Sequence, residues 1–500
     1  MKGLTQLLPD DSIFKMPGLH KFYRGALEAS ILGSRITLLI LRNHIALIFI
    51  SSLTLVLSIN SNHAEGQPLS FATNSYAVGN EPYSVVAADL KGDGRLALIC
   101  ANEADNTLTV LTNDGSGDFG SNVTYKVGNS PKSVIAADVN GDGRVDVVCA
   151  NFGDNTLTVF TNDGTGGLVL ACVTNTILSG YADNEPNQLV AADLNGDGKV
   201  DIITANGQNS SGSLSMLTNN GSGGFNLANT LPLPGPAQSV TAANLNLDGH
   251  LDLICPNLNA GRLYICTNNG SGAYKISAIL TVGSTPNSVV AADLNGDHKM
   301  DLVCLNNGGA TTSGSLTVFT NNGSGGFGLN ATYNAGNKPT SVTAADLTGK
   351  GSPDLICAIY GGTSLMIYTN NGNGTFGLAA SPTVGNKPYA VIAADVNNDG
   401  KFDLICPNRL DGTVSVLVNT NAFPSPTTMP SMTLTPSNGS LLASWPSTSA
   451  GWSLQFNQNL TGPGWSPGGY DGYSVADDGT NKSLYFTPIS DDVFFRLIHP

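Results

Sequence analysis

Four oxygen-bearing side chains, at positions 1, 3, 5 and 9 of a nine-residue loop, recur along this 500-residue chain in the form Asp-x-Asn-x-Asp-Gly-x-x-Asp. Side chains at that spacing converge when the loop curls about one point, and glycine at position 6 permits the sharp turn. Hard oxygen donors in this number suit Ca²⁺, with a backbone carbonyl and water completing the coordination. Without a cation, the clustered carboxylates repel one another at close range. The alternative is that each loop is a set of ordinary Asx turns. Recurrence at four ligand positions favours the metal.

The copies are unequal. Asp138/Asn140/Asp142/Asp146, Asp193/Asn195/Asp197/Asp201 and Asp395/Asn397/Asp399/Asp403 carry the full donor set. Asp293/Asn295/Asp297/Asp301 keeps its donors but has His298 at the glycine position, and Asn244/Asn246/Asp248/Asp252 exchanges the first carboxylate for an amide. In the first loop Lys91 and Ala97 replace donors, and in the sixth Thr348 and Lys350 do so. An ammonium there can neutralise Asp89 and Asp93, or Asp346 and Asp354, so the expected cofactor is Ca²⁺ at about five sites.

The loops are set in a longer repeat. A block of the form Ser-Val-x-Ala-Ala-Asp-Leu-Asn-Gly-Asp-Gly-x-x-Asp-Leu-Ile-Cys appears seven times, its first acidic position at Asp89, Asp138, Asp193, Asn244, Asp293, Asp346 and Asp395. A period near 50 residues with four short strands per unit belongs to propellers rather than solenoids. In the second unit, Ser133 to Ala137 reads as a strand, Asp138 to Asp146 as the loop, and Val147 to Ala150 and Leu157 to Thr161 as further strands. A looser fourth strand then runs to about Ile177. The second strand is apolar on both parities, as strands packed on both faces are.

Seven units supply only six fourth strands. The seventh is the stretch from Phe71 to Asn80, which matches Phe119 to Asn129 and is expected to pair beside Val414 to Val418. The fold class is therefore all-β: a seven-bladed β-propeller over residues 68–420, closed by an N-terminal strand that leaves no free sheet edge between the first and last blades.

Outside the repeats, residues 1–64 place Arg35 and Arg42 before an apolar run from Ile45 to Ile59, the pattern of a signal peptide. An uncleaved anchor from Ile36 to Ile59 is the alternative, and would give the only membrane contact; either reading puts the body outside the cytoplasm, secreted or at the cell surface. Prolines in 421–430 mark a linker. Residues 431–500 hold all three Trp (Trp445, Trp452, Trp465) and read as a small C-terminal β-sandwich-like module.

Net charge is −15, and the first 64 residues hold six basic and three acidic residues, so the remainder carries −18. Such a body repels phosphate backbones and excludes nucleic acid as a partner. Six of eight cysteines (Cys100, Cys149, Cys255, Cys304, Cys357, Cys406) share one repeat position and read as buried thiols rather than disulfides. Cys172 and Cys266 break the pattern and are left open to pairing. No histidine stands ready as a base for a nucleophile, so no enzyme is expected.

These residues resemble the FG-GAP/VCBS repeats of integrin α-subunit-like propellers, over about residues 68–420. The resemblance rests on the Asp loops and on Gly-x-Gly-x-Phe turns such as Gly115 to Phe119, Gly323 to Phe327 and Gly372 to Phe376. It implies a calcium-binding extracellular adhesion or binding scaffold. One variable repeat position, just before the first strand, is expected to ring one end of the channel and meet the partner: Tyr83, Lys132, Asn187, Gln238, Asn287, Thr340 and Tyr389. Six of the seven follow proline, and Tyr83 and Tyr389 meet across the closure. The blander reading makes them solvent-facing loop residues. The partner is an extracellular protein or a glycan; a lectin or a polysaccharide-active enzyme is the second reading.

Overall fold

A computed structural model of the chain describes residues 69–176, 185–207, 212–309 and 312–421, together with the backbone of six strands between 433 and 498. The expected targeting segment 1–64, and all but the first residue of the 421–430 linker, lie outside the described residues.

Seven four-stranded antiparallel sheets form the blades of a β-propeller. In blades 1 to 6 the four strands follow chain order from the inside outward; blade 1 runs from Pro82 to Lys126 and blade 2 from Pro131 to Asn175. Blade 7 takes its inner three strands from 392–419, and its outer strand is Phe71–Ala77. That strand pairs antiparallel with Thr413–Asn419, from Phe71↔Asn419 to Ala77↔Thr413, as the strand count predicts. The ring is thus closed by the first strand among the described residues, which joins the last blade.

Each strand's residues suit its depth. The second strands, such as Asp146–Asn151 and Asp403–Asn408, are buried at every position because blades cover both their faces. The fourth strands, such as Tyr274–Thr281, alternate between inward and exposed side chains because only one face is covered. Seven apolar clusters sit between neighbouring blades. The one at the seam joins Val85, Leu98 and Leu111 of blade 1 to Ile405, Val414 and Val416 of blade 7. Fully burying a side chain of this size contributes roughly 1.5–3 kcal/mol, so seam and ordinary joints are held by comparable packing.

In the C-terminal region Thr433–Ser437, Ser440–Pro446, Asn481–Phe486 and Ala476–Asp477 form one antiparallel sheet, and Ser453–Asn457 pairs with Phe494–Ile498. The expected tryptophan core lies outside the described side chains.

Candidate functional site

The Asp loops connect the first and second strands of every blade, so all seven lie at one end of the propeller. In blade 2 the first carboxylate organises the curl. Asp138 Oδ1 accepts from the amides of Asn140 (3.2 Å) and Gly141 (2.7 Å), and Oδ2 accepts from Gly143 (2.8 Å). Asn140 Oδ1 takes the Asp142 amide at 2.9 Å and Asp142 Oδ1 takes that of Arg144 at 2.9 Å. Left-handed backbone is required at two positions of each loop, the fourth and the sixth. Glycine supplies most of them. Leu247 (φ 61°), His298 (φ 61°) and Asn398 (φ 58°) are the exceptions, held there by the surrounding turn.

Positions 3 and 5 behave alike in the other donor-bearing loops. Asn195 Oδ1 takes the Asp197 amide at 2.8 Å, and Asp197 Oδ1 takes that of Lys199 at 3.0 Å. Asn246 Oδ1 takes the Asp248 amide at 3.1 Å, Asn295 Oδ1 that of Asp297 at 2.9 Å, and Asn397 Oδ1 that of Asp399 at 3.0 Å. Each of these oxygens is engaged by the backbone amide two residues on, the nearest donor that an Asx side chain can reach.

Loops 1 and 6, which lack the full donor set, adopt the same curl. Asp89 Oδ2 accepts from Gly94 at 2.7 Å and Asp346 Oδ2 from Gly351 at 2.6 Å. The Asx-turn reading therefore accounts for the loop shape without any cation. Among the described residues no three Asp, Glu, His or Cys side chains come together as a metal cage.

The ninth position is different in kind. Asp146, Asp201, Asp252, Asp301, Asp354 and Asp403 are fully buried. Asp146 accepts from the amides of Val139 (3.1 Å) and Asn162 (2.8 Å). Burial raises its pKa, and Asp142 and Asp138 add repulsion against those amide bonds. Asp403 is pushed up to about 6 by burial, with Asp399 and Asp395 contributing. In loop 4 the buried Asn244 Oδ1 has no hydrogen-bond partner. Buried, mutually repelling carboxylates beside an orphaned amide oxygen are a donor set of the kind a hard divalent cation takes.

One expectation is corrected here. Lys91 and Lys350 form no ion pair with the acids of their loops; among the described residues the loop ion pairs come instead from position 7, apart from a His298–Asp293 contact in loop 5. Arg144 lies 3.6 Å from Asp142 and Lys299 3.1 Å from Asp297, both largely exposed and of small energetic weight. The Lys91 stem lies against Gly166 of blade 2, and Lys350 is exposed. All eight cysteines are free, with Cys172 in blade 2 and Cys266 in blade 4, so that pair is not joined.

The expected partner-binding ring lies at the other end of the channel. In blade 2 the register runs from Pro131↔Asn151 to Ala137↔Asp146, which puts the start of the first strand opposite the Asp loop. Two of the ring residues are buried, Lys132 at 6% exposed and Asn187 at 4%, and the other five are half-buried. They bond across the joints. Asn187 Nδ2 donates to Ala237 O at 3.1 Å, Asn287 Nδ2 to Thr340 O at 3.0 Å, and Thr340 Oγ1 to Pro388 O at 3.3 Å. Gln238 is half-buried. The Tyr83 and Tyr389 hydroxyls hydrogen-bond to each other across the seam.

A second variable position, which sequence reasoning missed, joins this ring. It follows the second strand and holds Glu103, Phe152, Tyr360 and Arg409. Arg409 Nη2 lies 2.7 Å from both Glu81 and Glu103, and its guanidinium sits 5.5 Å and 5.7 Å from the Tyr83 and Tyr389 rings. The Lys132 ammonium lies 3.1 Å from the Phe152 ring centre, and Tyr360 meets Tyr389 edge-on at 5.9 Å. Burial pulls the Lys132 pKa down to about 8 against the opposing pull of Glu103 and Glu185. Aligning the repeats one residue past the second strand would have exposed this position, since the residue before it is asparagine in six of the seven repeats.

A third feature gave no signal of function in the sequence: the asparagine that ends each third strand. Asn219 Nδ2 donates to Val139 O of the preceding blade's loop and to Val200 O, both at 2.8 Å. Asn162, Asn321, Asn370 and Asn419 do the same in their blades, and Asn268 donates to the preceding loop and to the Tyr274 hydroxyl, all five at 2.7–3.1 Å to the preceding loop.

The FG-GAP-like repeat family matches residues 89–149, 138–204, 193–255, 244–304 and 346–406, together more than half of the chain, and the chain belongs to that family. No curated protein sequence matches it. Among solved structures, BBS1N in complex with ARL6DN, soaked with lead, is similar at a TM-score of 0.52 and 13% identity, covering 72% of this chain and 99% of that one. The mercury-soaked form of the same complex gives 0.51 and 14%, covering 71% and 98%. At such identity the likeness is one of fold.

Proposed function

We propose that this protein is an extracytoplasmic, calcium-loaded propeller that binds a protein partner at the channel end opposite its Asp loops and catalyses no reaction. The observation that carries this reading is the gathering of the chemically distinctive repeat positions at that one end. Tyr83, Tyr389, Tyr360 and Phe152 present aromatic surface there, with Arg409 and Lys132 among them. Aromatic residues and arginine in a partly desolvated centre are the usual energetic core of a protein interface. The similar BBS1N propeller was solved in complex with a protein, ARL6DN, which supports a protein over a glycan.

Calcium belongs to the same proposal. The complete loops would hold it through Asp138, Asn140, Asp142 and Asp146 and their equivalents in blades 3 and 7, with the variant sets of blades 4 and 5. An oxygen that accepts one backbone amide keeps a second lone pair, so Asn195, Asp197, Asn246, Asn295 and Asn397 can serve as ligands from within their turns. The ion would supply charge neutralisation for carboxylates that otherwise repel. Export agrees with this, since extracellular sites function at affinities as weak as roughly 10⁻⁴–10⁻³ M.

The test is selection of binders from a displayed random-peptide pool on the intact protein. Binders are expected to be lost with Tyr83→Ala or Arg409→Ala and kept with Arg144→Ala at the loop end. Binders that ignore the first two substitutions, or a glycan array that binds where peptides do not, would overturn the reading.

A further inference from the structure

Tyr83 and Tyr389 stand 306 positions apart in sequence and face each other across the seam. Their ring centres are 3.9 Å apart with planes inclined by 38°, closer than the usual aromatic pair. Because the hydroxyls also meet, the rings lie alongside each other with their oxygen-bearing ends together. The ring carbons flanking each C–O bond are therefore neighbours.

No other tyrosine pair among the described residues is so placed. Tyr360 meets Tyr389 at 88°, edge to face. Tyr333 and Tyr368 are 6.2 Å apart, and the Tyr368 hydroxyl is turned to Asn334 O. Tyr76, Tyr125 and Tyr333 otherwise pair with phenylalanines.

We propose that Tyr83 and Tyr389 are a cross-linking site, coupled carbon to carbon as dityrosine by a peroxide-dependent haem peroxidase. Each phenol gives up one electron and its hydroxyl proton. The two neutral phenoxyl radicals then join through the carbons beside their oxygens. The hydrogens displaced from those carbons return to the oxygens and restore both phenols. The two electrons and two protons reduce one hydrogen peroxide to two waters, so the step balances. Arg409 lies over both rings, but Glu81 and Glu103 meet its charge and neutral radicals are not repelled by it. The product would bolt blade 1 to blade 7, a joint otherwise made by strand pairing, packing and hydrogen bonds.

The experiment treats the intact protein, at low concentration, with a haem peroxidase and hydrogen peroxide. Expected are dityrosine fluorescence in a chain that stays monomeric on a denaturing gel, and a linked peptide pair containing Tyr83 and Tyr389 that is two hydrogens lighter than its parts. Tyr83→Phe and Tyr389→Phe should each abolish the link, while Tyr360→Phe keeps it. A link between other tyrosines or between chains overturns the proposal, as does oxidation elsewhere with the 83–389 pair untouched. The wild-type peptide map decides this even if a variant fails to fold.

Discussion

Asn113 of blade 1 donates from Nδ2 to the carbonyl of Val396 in blade 7 at 2.7 Å. It is the seam's copy of the bond that Asn219 makes to Val139 between blades 3 and 2. The joint where the chain's two ends meet is thus latched as every other joint is, and the ring has no weak sector built into its hydrogen bonding.

Removing the Asn219 latch takes one donor from Val139 O, which keeps the Gly223 amide at 3.2 Å, and takes the side-chain donor from Val200 O of a half-buried residue. Asn219→Ala is expected to destabilise the protein by about 1–3 kcal/mol, the cost of one acceptor left unsatisfied. Asn226→Ala, at an exposed position, should cost less than about 0.5 kcal/mol. Urea unfolding of the two variants measures the difference.

Calorimetric titration should find about five calcium ions, and a chelator should lower the melting temperature. One site saturated a hundredfold over its Kd is worth about 2.7 kcal/mol. Asp201→Ala should remove one ion, while Asp354→Asn, in the loop with Thr348 and Lys350, should remove none. A melt indifferent to the chelator rejects the metal.

The metal-free protein should lose stability as pH rises from about 4 to about 6. Burial pushes the Asp354 carboxyl up to about 6, with Asp346 adding to the shift. The folded state therefore binds that proton more tightly than the unfolded state does. Its contribution is fully present below the unfolded pKa of about 4 and is gone above about 6, a change on the order of 3 kcal/mol. The other ninth-position acids shift in the same direction, so the check is a difference: Asp354→Asn should show a flatter chelated stability profile than the wild type.

A thiol reagent should find one reactive cysteine in the native protein and eight after denaturation. Cys172 is half-exposed and the other seven are buried. Burial also pushes thiols such as Cys100 and Cys357 above their usual range, which keeps them protonated and inert. More than one fast thiol would show that a blade opens readily.

The outer strand of blade 2, Leu168–Asn175, is an exposed apolar edge: Val169 is 54% exposed, Leu170 57% and Val173 58%. Such an edge templates pairing with another chain. Leu170→Lys should suppress light scattering on warming while changing unfolding stability by no more than about 0.5 kcal/mol.

Much of this molecule is written locally. Seven motifs fix seven blades because each unit can bury its apolar strands only against a neighbour. The surplus strand at Phe71 identifies the closure because blade 7 has three strands of its own where the other six blades have four. The loop donors are legible for the same reason, since all four lie within nine residues of one turn. The tertiary structure alone decided what happens between blades. It placed Arg409 on Glu81 and Glu103, set the Asn113 and Asn219 latches, and buried Lys132 in a ring that loop position alone would leave open to solvent. Those contacts join residues far apart in sequence, and what meets across a joint depends on how neighbouring sheets are rotated about a common axis, which no local pattern records.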